Sequence, residues 1–581
     1  MTAIPPAHYP TREPDQDAWF TAFFIENHID PFAYPKKVAT REQVEFMVYP
    51  ENGERYYPCS DKTFQAVMSR TCPPHLLKAY QAAYDHVICL VDQFIESEYD
   101  RAFLKSLIRM KFEREKDTCI LIPSRLEKRL YKIFISRTHI ENPYAEEKQR
   151  QIRQAHRYLN APAVDKALNH IQGELENMEH LSLASLREKI KEIELCRRLS
   201  LLSAVDQWSG KTMKRPSQKA VTQIFNTPVT GNGYGRFKSL VLGPKRKFLW
   251  LADDAASVMA DIKLIQFMAS LGHVIILAVK ESPLFRKICL TDTRTDPVLM
   301  KELEGCRFIH VKAITKNQLV QRLKQDANIY LISDGTRESL NLLLVSTTFA
   351  RVFKEVDCVI ARGPQQKNRL ISTHFRFTRD IIHMETLPGK IKISHKAAHP
   401  GFINFSHLDL EEKADRIIQQ MKDAKAENMT VMFYSGIIGS IPGKIEVAKK
   451  IMGRFIRHLE SRSADLFIIN PSLYYEPGMD ADDLMYMWEI VQRSGYIDIW
   501  RFQTSDDIAE SFRLMKKKVP PEWIGKDATY STGCTKEMHI AVDVLKTNPE
   551  MQVMGPSVDK FMRRNEYGVG SMYDQRLAGP L

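Results

Sequence analysis

"KFLWLADDAASVMAD", residues 247–261, joins an apolar run directly to a pair of acids. Phe248 to Ala252 form a continuous apolar block of the length expected for a strand buried on both faces. Asp253 and Asp254 follow at once, and "SVMADIKLIQFMASLG" then takes up helical spacing and stops at a glycine. In open α/β sheets ligands bind in the crevice at the C-terminal ends of the strands. Two adjacent carboxylates placed there repel each other unless a cation lies between them, and hard oxygen donors suit Mg²⁺, Mn²⁺ and similar ions. Asp254 has an ordinary alternative role as a helix cap, favourable by about 0.5–1 kcal/mol. Asp261 lies roughly 12 Å from Asp253 along a helix. It is expected to face solvent or make a structural contact rather than share a ligand with Asp253.

Outward from this stretch the alternation continues. "HVIILAV", "CRFIHV", "NIYLIS" and "VDCVIA" read as further strands, with "ESLNLLLVSTTFARVFKE" as a helix between the last two. Short apolar strands separated by helices predict a parallel sheet covered on both faces. A second alternating unit begins near residue 400, with strands in "MTVMFYSG", "ADLFIIN" and "YIDIWRFQ", each followed by a helical run. From Ser60 to about Val205 the pattern is helical throughout, as in "HLLKAYQAAYDHVICLVDQFIESEYDRAFLKSLI". Residues 1 to about 40, rich in Pro and aromatics, read as an irregular arm. Residues 209–246 are basic and rich in Gly, Pro and Thr, and read as a linker in which Gly231, Gly233 and Gly235 serve flexibility.

A chain of 581 residues is too long for one core. The expected fold class is α/β in three parts: a helical N-terminal domain (1–208), then, past the linker 209–246, a parallel-sheet metal-binding domain (247–398), and an additional C-terminal α/β domain (399–581). The 83 Lys and Arg exceed the 71 Asp and Glu by 12, which allows an anionic partner without choosing among them. No apolar stretch reaches the roughly 18 residues of a membrane span, and the N-terminus lacks a signal-peptide pattern. Nine scattered cysteines without a CxxC pair predict reduced thiols, a cytoplasmic setting and no zinc site.

Other segments carry chemistry in outline. "ESPLFRKICLTDTRTD", after the strand "HVIILAV", supplies Asp292 and Asp296 as possible third ligands. "LISDGTRES" carries a strand into a turn where Ser333 and Gly335 could offer donors to phosphate, or form an ordinary βα turn. "FYSGIIGSIPGKIEVAKK" imitates a phosphate loop, but Ile438 stands where the first Walker glycine belongs and Ile445 where Ser or Thr would bind Mg²⁺. A structural turn is expected there. Asp480, Asp482 and Asp483 lack the EF-hand pattern and are expected as helix caps, and Cys534 with His539 has no nucleophile signature.

Taken in order, these pieces resemble the damage-control phosphatases. That family carries a strand ending in Asp-Asn-(Ala/Ser)-Gly-Glu with another Asp eight after the first; this chain has Asp253-Asp254-Ala255-Ala256-Ser257 and then Asp261. The family's Pro-led loop with Asp-Thr is matched by Pro283 and Asp292-Thr293. Its Asp-x-x-x-x-Lys-Gly-x-x-Asn-Tyr is matched by Asp357, Arg362, Gly363, Gln366 and Lys367. Arg376-Phe-Thr-Arg379-Asp380 is similar, with a gap, to a late Arg-Thr-x-Lys-x-Asp element, and Asn142-Pro143-Tyr144 with Lys148 is similar to Asp-Pro-Tyr-x-x-x-Lys. The resemblance covers roughly residues 55 to 395.

The resemblance implies a helical half and a Rossmann-like half that together hydrolyse a small phosphate ester, such as a sugar phosphate or damaged phosphometabolite. It implies a divalent metal (Mn²⁺, Co²⁺, Ni²⁺ or Mg²⁺) held by Asp253, Asp254 and Asp292. Arg362 and Arg379 would offset phosphoryl charge, and Ser333, Gly335 and Gly363 would contact phosphate. No membrane or nucleic-acid partner is expected. The departures at Asp254, Ala256, Ser257 and Arg362 keep open a relative that binds a phospho-ligand or nucleotide without turnover. A second alternative is a transferase whose C-terminal unit binds a nucleotide donor.

Overall fold

The computed structural model describes residues 13–28, 38–51, 54–169, 178, 180–311, 313–325 and 327–563. Its contacts divide the chain into two units, one of residues 1–314 with 321–400 and one of residues 315–320 with 401–581.

The strands of the first unit, in chain order, are β1 (Val48–Tyr49), β2 (Val229–Thr230), β3 (Lys247–Leu251), β4 (Val274–Val279), β5 (Arg307–Ile309), β6 (Ile329–Ser333), β7 (Cys358–Arg362), β8 (Arg376–Phe377), β9 (Asp380–Leu387) and β10 (Lys390–Lys396). Eight of them form one sheet in the order β2-β10-β9-β7-β3-β4-β6-β5. The six from β9 to β5 in that order are mutually parallel, and β10 closes back antiparallel on β9. From β3 the chain runs outward to β4, and it later returns to β3's other side as β7. The boundary between β3 and β7 is therefore the point at which the order of the sheet reverses, where α/β folds place their ligands.

Local chemistry explains the elements. In β3 every residue after Lys247 is buried, as expected of four consecutive apolar residues in a strand covered on both faces. The helix Val258–Ser270 ends where Gly272 takes φ +91, a conformation that costs glycine little. The core between sheet and helices gathers Trp250, Met259, Phe267 and Ile360 with Trp208 and Tyr158 from the helical half. That half is built of long helices, among them Pro74–Phe94, Glu98–Thr118, Pro123–Thr138 and Ala145–Leu159. Ser97 and Ser182 cap two of its helices through their hydroxyls.

Several expectations are corrected. The N-terminal arm contains a helix, Pro14–His28; residues 1–12 and 29–37 lie outside the described residues, as does the tail beyond 563. The stretch 209–246 is not a free linker. It forms the helices Gln218–Phe225 and Tyr234–Leu242 and places β2 beside β10. Gly231 (φ +101) and Gly233 lie so close to the backbone of residues 393–395 that a Cβ would overlap it, so these glycines serve close packing rather than flexibility. The helix read across 338–355 begins only at Thr347, where the Ser346 hydroxyl caps it; the apolar residues before it pack as irregular chain. β9 and β10, absent from the sequence reading, turn on Gly389 at φ +71. Cys72 and Cys119 are joined as a disulfide, against the expectation of reduced thiols throughout. Among the described residues no helix is long and apolar enough to cross a membrane.

The second unit is a parallel sheet of β11 (Thr430–Ser435), β12 (Leu466–Ile469), β13 (Ile499–Phe502) and β14 (Gln552–Met554), in the order β12-β11-β13-β14. Asp480 caps the helix Ala481–Gln492 by a reciprocal bond pattern with Asp483, as its spacing suggested.

Candidate active site

The C-terminal ends of β3, β4, β6 and β7 carry Asp253, Lys280, Asp334 and Arg362, all buried. At the switch point Asp253 lies against Gly363. A Cβ there would overlap the Asp253 carboxylate, and Gly363 adopts φ +84, so two independent constraints require glycine. The Gly363 carbonyl accepts a hydrogen bond from His383 Nε2 at 2.8 Å, which fixes the turn.

Asp253 pairs with Lys287, a residue the sequence reading passed over. The loop after β4 delivers it. Ala255 N donates to Arg286 O at 3.0 Å and Ile288 N to Asp253 O at 3.2 Å, which lays residues 286–288 alongside the acid pair. Phe285, at φ +50, anchors that loop among His86, Tyr131 and Tyr144 of the helical half, and Arg286 pairs with Glu147 at 2.7 Å. Burial raises the Asp253 pKa above the usual carboxylate range and the nearby Asp254 charge adds to this, while Lys287 and Arg362 oppose it. Asp254 is only partly buried. One of its oxygens accepts from Ser257 N at 2.9 Å, so the capping alternative holds for that oxygen.

Asp292 is engaged by the helical half. Its Oδ2 accepts from Lys148 Nζ at 2.6 Å and from Cys289 N at 2.9 Å. Lys148 and Asp292 line a cavity of about 170 Å³ with Asn142, Gln149, Thr291, Thr295 and Asp296. Asp296 caps the helix Pro297–Glu302. Among the described residues no group of three His, Cys, Asp or Glu side chains could hold a metal ion.

The two expected arginines part company. Arg362 ends β7 at the crevice, with Nε donating to Asp261 Oδ1 at 2.9 Å and Nη1 to Met384 O at 2.8 Å. Asp261 is fully buried and its pKa is pushed up to about 6 by desolvation, against the pull of Arg362. It is a structural contact that orients the guanidinium. Arg379 precedes Asp380, which pairs with Cys358 at the opposite end of β7, and its guanidinium donates to Lys354 O. A parallel register, which pairs Arg362 with Met384, therefore puts Arg379 five residues, roughly 16 Å, from the level of Arg362.

Ser333 and Gly335 serve each other. Ser333 Oγ donates to Glu281 at 2.6 Å and accepts from Gly335 N at 2.9 Å. Beside them Asp334 pairs with Lys280 and accepts from Thr336. The Lys280 pKa is lowered, chiefly by burial, with Arg369 and Lys287 adding to the effect, so three cations share this side of the crevice. Strand ends rich in charge were legible in the sequence; Lys287 and Arg369 had no motif to announce them.

A family model described as "Damage-control phosphatase ARMT1-like domain" matches residues 68–388, more than half of the chain. The chain belongs to that family of phosphatases. Among solved structures it is similar to a DUF89 family protein from Pyrococcus horikoshii, at 16% identity and a TM-score of 0.38, with 54% of this chain and 96% of that chain covered. No curated protein matches it.

Proposed function

We propose that this chain is a metal-dependent phosphatase for a small phosphate ester, a sugar phosphate or damaged phosphometabolite, acting at the β3–β7 switch point. The observation that carries the reading is Asp253 set against Gly363 with Asp254 beside it in the chain, and Arg362, Lys280 and Lys287 nearby.

The donors fit a hard divalent ion. Small oxygen-seeking cations are commonly held by one or two carboxylates, with substrate phosphate and water completing the set. Asp253 and Asp254 supply those carboxylates, and Asp292, engaged with Lys148, is not counted among them. A bound ion supplies Lewis-acid polarisation of the phosphoryl group and a more acidic water. Arg362 is held by Asp261, so it offsets charge on the phosphoryl oxygens without rearranging. The Gly363 turn admits the ester close to the backbone.

Phosphate release from a panel of monoesters, with and without Mn²⁺, Co²⁺, Ni²⁺ or Mg²⁺, tests this. Turnover that a chelator abolishes and one of these ions restores is the expected result. Lys287 favours a second reading, because its ammonium already stands as a cation on Asp253. No turnover with any ion, combined with stabilisation by a phosphorylated ligand, would establish that binding role instead.

A further inference from the structure

Behind the crevice lies a group of buried donors that the proposed chemistry does not use. Arg369, on the turn Lys367–Ile371 that follows β7, is 5% exposed. Its Nη2 donates to Ser124 Oγ at 2.6 Å; its Nη1 has no hydrogen-bond partner. The other crevice cations each face a carboxylate: Lys287 faces Asp253, Lys280 faces Asp334, Arg362 faces Asp261, Lys367 faces Glu385 and Arg125 faces Glu338. Among the described residues Arg369 has none at ion-pair distance.

Two further buried donors lie in the same neighbourhood. Among the described residues the Tyr56 hydroxyl has no partner; burial raises its pKa, and Arg369 is near enough to oppose that rise. Arg125 Nε has none either; its Nη1 is on Glu338, whose charge also reaches Arg369. Ser124 and Arg125 begin the sixteen-residue helix Pro123–Thr138, whose N-terminus has no side-chain cap and no acid in its first turn. Lys128, one turn on, has its pKa lowered to about 8, first by burial and then by Arg125, Arg337 and Lys132. An unpaired buried guanidinium is costly, and orphaned buried donors are rare in folded proteins. Three of them beside an uncapped helix start, which itself favours negative charge, fit an oxyanion.

We propose that Arg369, Tyr56 and Arg125, with the start of the helix Pro123–Thr138, form a second oxyanion subsite that holds a carboxylate or second phosphate of the ligand. This deepens the phosphatase reading, on which it rests for the other end of that ligand, and it makes the preferred substrate doubly anionic. Lys280, which senses both Arg369 and Lys287, connects the two ends.

The test is calorimetric titration of the full chain with inorganic phosphate and, separately, malonate, in a chelator, so that neither anion can bind through a metal at Asp253. One anion per chain is expected, with a rise in Tm. Arg369→Gln should weaken binding at least tenfold, and Tyr56→Phe, which keeps the ring and the fold, about threefold. Preference for phosphate supports a bisphosphate ligand, and preference for malonate a phosphorylated acid. Failure of the unmodified chain to bind either anion overturns the subsite. So does unchanged affinity in Tyr56→Phe together with an Arg369→Gln variant that folds and binds normally. Loss of hydrolysis alone would count against the phosphatase reading and leave these titrations to decide the subsite.

Discussion

The two parallel sheets of this chain reverse their strand order in the same way and treat the resulting crevice oppositely. In the first, the gap between β3 and β7 sets Asp253 against Gly363 and gathers Arg362, Lys280 and Lys287 nearby. In the second, the gap between β11 and β13 is stitched shut. Gln503 Oε1 accepts from Ile437 N at 3.0 Å, and Met452 and Gln503 crowd Gly436. The residues that end these strands are neutral: Ser435, Asn470 and Gln503. Even the buried Glu537 nearby is met by Gln492 rather than a cation, and burial raises its pKa. A switch point alone therefore does not make a site; buried charged groups gathered at the strand ends do.

The comparison breaks most directly through hydrolysis. Asp253→Asn should lower kcat/KM by on the order of 10²–10³-fold, while Ser435→Ala, at the end of the strand beside the second sheet's switch point, should change it by no more than about twofold. Steady-state phosphate release from one ester measures both. Equal losses would erase the distinction between the sheets.

Stability sharpens it next. The second unit has its own buried ion pair, Lys316 with Asp483 at 2.7 Å. Lys316→Met should destabilise by about 3–5 kcal/mol, since it strands a buried carboxylate. Denaturant unfolding reads this loss, and hydrolysis measured on the folded fraction should be unaffected. A smaller effect, about tenfold on kcat/KM, is expected for Gly363→Ala, whose Cβ displaces the Asp253 carboxylate. Gly439→Ala in the second unit meets nothing within 4 Å and should be silent in the same assay.

A pH experiment gives the smallest expected effect. The folded pKa of Asp261 is raised from 3.8 to about 6, so the folded state holds its proton more tightly than the unfolded chain. The stability this contributes is fully present below about pH 4 and is lost as pH rises through 6, by about 2–3 kcal/mol. Asp261→Asn should flatten that part of the stability profile. An equal slope in both proteins would assign the dependence to other groups.

Much of the fold was legible from short-range pattern. The apolar runs at β3, β4, β6, β7 and β11 appear as strands within a residue or two of where they were read, and β13 begins three residues later than its run. The helix assigned to 338–355 failed in its first half because an apolar run can be buried without being helical. The Gly231 to Gly235 run was misread because a glycine required by close approach looks the same in sequence as one required by flexibility. Of the candidate site, Asp253, Asp254, Arg362 and Gly363 come to one crevice, each adjacent to a strand end. Arg379 does not, since the parallel register of β9 with β7 fixes it at the opposite end of the sheet. Asp292 turns to Lys148.

The sequence by itself determined that acids follow a buried strand, that strands and helices alternate in two blocks, and that the chain resembles a phosphatase family. Those facts rest on spacing between near neighbours, which propensity and burial fix locally. Only the tertiary structure decided which charges meet. Lys287 reaches Asp253 across 34 residues and Lys148 reaches Asp292 across 144. Arg369 is left without an acid because the surrounding carboxylates are already paired. Ion pairing in a crevice depends on distance and desolvation in three dimensions, and no local period in the chain encodes either.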